Sequence, residues 1–163
     1  MKSIVIAGGC FWGVQAYFKQ VNGVINTVVG YVDGAGENPT YDDVCSGSGH
    51  AEAVLIEYNP QVLSIAVLLK HYLNIVDPTY FNRQGPDVGV QYRSGFYNVD
   101  DDDLPVLKQL VDGAETARKK KFFLTWKQDQ VFYPAEAYHQ DYLDKNPNGY
   151  CHINLDRINK VQR

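Results

Sequence analysis

The chain lacks an excess of positive charge. Its 15 Lys and Arg stand against 19 Asp and Glu, a net charge of −4, so neither nucleic acid nor an anionic membrane surface is expected as a partner. Long apolar runs are also missing. None approaches the ~20 residues that span a bilayer, and Met1–Ala7 holds too short an apolar stretch for a secretory signal. A cytoplasmic location is the expectation. Cysteine is scarce: Cys10, Cys45 and Cys151 are the only three, a poor basis for a structural disulfide framework. In a reducing compartment they rest as thiols, and any disulfide there is transient and catalytic. No two of them have metal-ligand spacing. His50-Ala51-Glu52 supplies half of a zinc-deaminase signature, but the Pro-Cys-x-x-Cys half is absent. There is no Gly-x-Gly-x-x-Gly, and no Gly-Lys-Ser/Thr follows the glycines of residues 8–13. No metal and no cofactor are expected. With no repeat, low-complexity segment or linker, residues 1–163 fit a single domain.

What is present is periodic. Ser3–Ala7 reads as a strand that enters the fold at once. Phe11, Val14, Phe18 and Val21 recur at helical spacing. Residues 25–32 are β-branched and aromatic and predict a second strand. A loop rich in Gly, Asn, Pro and Asp leads to a third strand, Ala53–Tyr58. Ile65, Leu68, Leu69, Tyr72, Leu73 and Val76 mark a second helix with Ser64 as its N-cap. Residues 77–92 are irregular, and Ser94–Val99 is a fourth strand. The order β-α-β-β-α-β is that of the ferredoxin-like unit, an α+β two-layer sandwich. A third helix is predicted over about 103–121, with Leu107, Leu110, Val111 and Ala114 inward. Asp100–Asp103 before it and Lys119–Lys121 at its end offset the helix dipole. A short strand near 130–133 and a short helix near 137–145 follow. The rest, about 146–163, is expected to be a long, mobile coil tail.

Cys10 follows the first strand and opens the first helix. A helix N-terminus favours negative charge and lowers a thiol pKa. Gly8 and Gly9 let the backbone turn tightly, and Phe11 and Trp12 would wall the sulfur with aromatic surface. The same position also suits a small buried hydrophobe in a turn. Glu52, at a strand mouth, is a general acid if burial raises its pKa, or a surface residue that alternates outward. Residues 77–93 form a long loop of the kind that carries function inside compact domains. Asp87 and Tyr92 from this loop, with Tyr41 from the earlier one, offer hydrogen-bonding groups, although each is also an ordinary turn residue. Cys151 can reach another thiol and resolve an oxidised form of it, or it is an idle tail thiol. Cys45 reads as a packed bystander and His139 as a satisfied helix-face histidine. On the residues alone, two other classes stay open. A hydrolase or transferase would pair Cys10 with His50 as base. A peptide-binding module would use the twelve tyrosines and the loop at 77–93.

Several segments in order carry a resemblance: Gly-Cys-Phe-Trp-Gly at 9–13, Asn38-Pro39-Thr40-Tyr41, Val44-Cys45-Ser46-Gly47, Gly49-His50-Ala51-Glu52, Asn82-Arg83-Gln84-Gly85-Pro86-Asp87, Gln91-Tyr92-Arg93-Ser94, Phe132-Tyr133-Pro134-Ala135-Glu136, Tyr138-His139-Gln140 and Asn148-Gly149-Tyr150-Cys151. Together they resemble the methionine sulfoxide reductase A family over nearly the whole chain. The resemblance implies reduction of the S epimer of methionine sulfoxide, free or in proteins. Cys10 would attack the sulfur, Glu52 would protonate the oxygen, and Tyr41 and Tyr92 would hydrogen-bond it. Asp87 would help position the site, and Phe11 and Trp12 would receive the S-methyl group. Cys10 would become a sulfenic acid, Cys151 would resolve it to a disulfide, and thioredoxin would reduce that disulfide. The implied enzyme is a monomer. Many relatives carry a further recycling cysteine, but none occurs in the twelve residues after Cys151, so thioredoxin is expected to attack the Cys10–Cys151 bond directly. The loop Ser46-Gly47-Ser48-Gly49 is slightly shorter than in many relatives, which bears on substrate preference.

Overall fold

The computed structural model describes residues 1–161; Gln162 and Arg163, the end of the expected tail, lie outside the described residues. Alternation sets the architecture from the first strand. In β1 (Lys2–Ala7), Ile4 and Ile6 turn to one face of a sheet and Val5 and Ala7 to the other, and all four are buried. Then follow α1 (Phe11–Phe18), β2 (Val24–Val32), α2 (Tyr41–Cys45), β3 (Ala51–Tyr58) and α3 (Ile65–Ile75). A small hairpin, β4 (Arg83–Gln84) and β5 (Asp87–Val88), precedes β6 (Ser94–Tyr97), α4 (Leu104–Arg118), β7 (Leu124–Lys127), β8 (Phe132–Pro134) and α5 (Tyr142–Lys145).

The main sheet runs β7-β6-β1-β3-β2-β8. Its inner four strands pair antiparallel throughout, which is the expected β-α-β-β-α-β core. β7 adds parallel to β6 at one edge and β8 antiparallel to β2 at the other. The larger core lies on one face, where Ile4, Ile6, Val54 and Ile56 meet Phe11, Val14 and Phe18 of α1, Leu68 and Tyr72 of α3 and Leu107 of α4. A smaller cluster of Val5, Ala7, Val32, Ala51, Ala53 and Tyr97 fills the other.

Two details of this sheet position the site. The even-numbered residues of β3 point to the helix layer with Val54 and Ile56, so Glu52 points there too. Ile6 pairs with Val54, which brings Glu52 beside the exit of β1, where the chain turns into α1.

Some expectations need correction. The loop after β2 contains α2, five residues capped by a reciprocal Thr40–Asp43 box; so short a helix shows no period. Cys45, at its end, is exposed rather than packed. β7 was not foreseen: it has four residues, none fully buried, and pairs on one side only. In α4, Leu107 and Val111 are buried but Leu110 is 38% exposed, so the apolar stripe is narrower than its composition suggests. Ser64 caps α3 as expected, accepting from the Val67 amide at 3.2 Å. Asp103 at the start of α4 makes no capping bond. Its carboxylate instead accepts from Lys2 Nζ at 3.0 Å and the Tyr58 hydroxyl at 3.1 Å, tying the helix to β1 and β3. Beyond α5, Ile153 and Ile158 join the main core, so the described part of the tail lies against α1 and α3. Among the described residues, no helix is long and apolar enough to cross a membrane.

Candidate active site

The chain leaves β1 through Gly8 and Gly9. Gly9 has φ +86°, a conformation that costs a side-chain-bearing residue energy, and a Cβ there would sit 2.8 Å from Gln84 Cβ. Cys10 then occupies the N-cap of α1 and Phe11 is its first helical residue. The first-turn amides divide their work. Phe11 N–H donates to Glu52 Oε1 at 3.2 Å, while the Trp12 and Gly13 amides favour a Cys10 thiolate.

That favour is outweighed. Cys10 is only 7% exposed, and burial drives its pKa well above the ordinary thiol range, with the charges of Glu52 and Asp87 adding to the rise. The helix N-terminus was expected to lower this thiol. It does pull in that direction, but loss of water dominates. The charged groups that bear on Cys10 are carboxyls. His50, the base of the hydrolase reading, is held by the Ser48 hydroxyl at 2.8 Å and stands edge-on to Tyr133.

Glu52 is not a surface carboxylate. It is 1% exposed, and burial pushes its pKa to about 8, with the Phe11 amide pulling down and Asp87 adding to the rise. It therefore carries its proton at neutral pH. Its Oε2 is buried and has no hydrogen-bond partner, which is costly unless a ligand completes it. Protonation also removes the charge that would raise Cys10.

Tyr41 and Tyr92 are both half-buried. Burial first, and the Glu52 charge second, hold both phenols far above the ordinary tyrosine range, so each keeps its proton as a donor. Tyr41 opens α2, and its amide donates to Glu136 Oε2 at 3.0 Å. Tyr92 ends a 3-10 turn, Val90–Tyr92. The next residue, Arg93, donates to the carbonyls of Gly49 (2.9 Å) and Asp33 (2.8 Å) and to the Asp33 carboxylate (3.1 Å). It thus ties the Tyr92 turn to the approach to β3. Asp87 accepts from the Tyr150 hydroxyl at 2.9 Å.

Phe11 is buried against Tyr31 and His139, with ring centroids at 5.7 and 5.3 Å. Trp12 lies flat on Tyr142 at 3.8 Å, and its Nε1–H donates to His139 Nδ1 at 3.0 Å. His139 is satisfied at that nitrogen only; its buried Nε2 has no partner.

Sequence reasoning assigned no role to Glu136, Arg93 or Gln84. Glu136 accepts from the Tyr31 hydroxyl at 2.9 Å as well as from Tyr41. Gln84, 3% exposed, bonds both backbone groups of Asp77 and the Ser94 hydroxyl beneath Gly9. Their only signal was membership of the segments that carry the resemblance. Cys151 is half-buried, and its thiol donates to the Ile153 carbonyl at 3.1 Å. A Cβ on Gly13 would lie 3.1 Å from Cys151 Sγ, so this second thiol rests against the first turn of α1. Both cysteines are free. Among the described residues, no three His, Cys, Asp or Glu side chains gather as metal ligands.

The family model for peptide methionine sulfoxide reductase matches residues 2–163. The chain belongs to that family. Within it, the peptide methionine sulfoxide reductase MsrA of Clostridium acetobutylicum is 50% identical over 161 residues, 98% of this chain and 99% of the relative. Among solved structures of the family, reduced Mxr1 from Saccharomyces cerevisiae superposes with a TM-score of 0.85 at 38% identity, covering 92% of this chain and 88% of that one. The same yeast protein in complex with Trx2 gives a TM-score of 0.60 at 26% identity, over 86% and 84% of the two chains.

Proposed function

We propose that this protein reduces methionine sulfoxide, in its S epimer, to methionine, with thioredoxin as reductant. The observation that carries the reading is the buried, protonated Glu52, whose unpartnered Oε2 lies in the same enclosure as a buried thiol at a helix N-terminus. A sulfoxide is a dipole, with a positive sulfur and a negative oxygen. The sulfur meets Cys10 and stabilises the thiolate that burial otherwise disfavours. The oxygen meets Glu52, Tyr41 and Tyr92, three groups that hold their protons in this site.

Cys10 sulfur attacks the sulfoxide sulfur, Glu52 protonates the oxygen, and methionine leaves. As it leaves, the sulfoxide S–O bond and the transient bond between the two sulfurs break and the hydroxyl passes to Cys10, leaving a sulfenic acid, with the thiol proton making good the one Glu52 gave up. Phe11 and Trp12 receive the S-methyl group, and Asp87, bonded to Tyr150, helps position the site. Cys151 then condenses with the sulfenic acid to give a disulfide and water. We read residues 1–163 as one catalytic unit whose 146–163 segment carries Cys151 to Cys10, a short journey from Gly13. Thioredoxin reduces the Cys10–Cys151 disulfide directly; the family neighbour solved with Trx2 supports this partner. Three free thiols suit a reducing cytoplasm.

The test is thioredoxin-coupled turnover of the separated sulfoxide epimers. Turnover of the S epimer alone, lost in Cys10→Ser, is expected. Unchanged activity in Cys10→Ser would sink the assignment.

A further inference from the structure

Three consecutive residues of the tail lie over the turn that carries Cys10. Tyr150 bonds Asp87, Cys151 rests on Gly13, and His152 lies across both glycines that flank the cysteine. A Cβ on Gly9 would be 3.0 Å from His152 Nε2, and one on Gly13 would be 3.5 Å from its Cε1 and 3.1 Å from Cys151 Sγ. Imidazole and resolving thiol therefore converge on the same point above the helix start. Both His152 ring nitrogens are buried without a hydrogen-bond partner. A purely structural histidine at such a place is expected to be bonded at least once. The Gly8 carbonyl lies where it favours a protonated ring, yet falls outside hydrogen-bond geometry.

We propose that His152 takes the proton from Cys151 as the disulfide forms and passes it to the hydroxyl leaving Cys10. The inference rests on the resolving role assigned to Cys151 above. The step balances without a further reactant: the Cys151 S–H and Cys10 S–O bonds break, the S–S bond forms, and the proton and hydroxyl depart as water. A thiol that burial holds above its ordinary pKa needs such an acceptor, since the thiolate is the attacking form. Burial holds the imidazole below the ordinary histidine range, while Asp87 and the Gly8 carbonyl oppose this; the ring is neutral and ready to accept at neutral pH. The other titratable groups on its surroundings are Cys10, Cys151 and, across a surface cavity it shares with Gln84, Asp77, Tyr80, Arg118 and Arg157.

The experiment mixes reduced protein with one equivalent of methionine sulfoxide, without thioredoxin. Methionine release and Cys10–Cys151 formation are followed separately by rapid quench and mass spectrometry between about pH 5 and 8. In His152→Gln, disulfide formation should slow about 100-fold, the lower range for loss of a proton-transfer group, with methionine release keeping the wild-type rate. Cys10 sulfenic acid should accumulate and be trapped by a 1,3-dione, and free imidazole should restore the rate in His152→Ala. An unchanged rate of disulfide formation, or a slowed rate with the wild-type pH profile and no imidazole rescue, overturns the proposal. The wild type alone also tests it, because a resolving rate that does not climb with pH through a histidine titration refutes it whatever the variants do. Methionine release with no disulfide in the wild type would instead overturn the resolving role of Cys151.

Discussion

Replacing Glu52 with Gln should make the protein more stable at neutral pH and nearly inactive. In the fold, burial raises the carboxyl from 4.5 to about 8. The native state therefore binds more protons than the unfolded chain between those values, and stability falls as pH rises through that window. The stabilising contribution of the protonated form is full below 4.5 and gone above about 8. At about 1.4 kcal/mol per unit, the wild type gives up about 3 kcal/mol between pH 4.5 and 7, and about 4 kcal/mol by pH 8. Gln escapes this penalty because it does not ionise. Its Oε1 can still accept from Phe11, but its amide N–H groups enter the place where Oε2 has no partner, a cost of about 1–2 kcal/mol. The variant should be less stable than wild type near pH 4.5, cross it near pH 5.5–6, and exceed it by about 1–2 kcal/mol at pH 7. At roughly 2–4 °C per kcal/mol for a chain of this size, Tm at pH 7 should rise by about 5 °C. Turnover should fall at least about 100-fold, and the wild-type rate should decline above about pH 8 as the acid ionises. Thermal unfolding of both proteins across pH 4–9, paired with turnover, is the assay. Stability curves that stay parallel would refute the buried, protonated carboxyl, whatever the activity does.

Arg93→Ala removes the bonds to Gly49 and Asp33; it should cost about 2 kcal/mol in urea unfolding and lower kcat, because the Tyr92 turn loses its tie to the approach to β3. Gly34→Ala would place a Cβ 2.2 Å from His50 Cγ and 2.4 Å from its backbone nitrogen. The start of β3 must then move, at a cost of about 2 kcal/mol or more, and turnover should drop with it; an active, fully stable variant would show that the β3 mouth tolerates displacement. Cys151→Ser should release one methionine per enzyme at the wild-type rate and then stop in the presence of thioredoxin, measured as burst amplitude. Sustained turnover would show that another route reduces the sulfenic acid.

Cys10 was legible because two periodicities meet there: strand alternation ends at Ala7 and helical spacing begins at Phe11. β1, β2, β3 and α3 were legible for the same reason, each being long enough to show its period. What failed was short or one-sided. Five residues of α2 and four half-exposed residues of β7 carry too little pattern. The direction of the Cys10 pKa shift also escaped, since a strand-to-helix junction announces helix amides but not how deeply the fold covers them. Arg93, Glu136 and Gln84 are recognised by partners 60, 105 and 10 residues away; such pairings depend on strand order, which local sequence does not carry.

On the roles proposed, the buried thiol is an advantage rather than a defect. A thiolate formed in the empty site would be open to oxidants of every kind. Here the same burial that keeps Cys10 protonated keeps Glu52 protonated, and ionisation of Glu52 would reinforce the shift at the thiol, because the Glu52 charge raises Cys10 further. Neither changes state easily until a ligand brings a positive sulfur to one and a negative oxygen to the other. A sulfoxide supplies both ends of that dipole at bonding distance. An anionic oxidant brings negative charge to both groups, and a thioether brings no oxygen for Oε2. Selectivity in this site thus follows from desolvation: burial disfavours the charged state of each group separately, and the ligand that serves both at once lifts the cost.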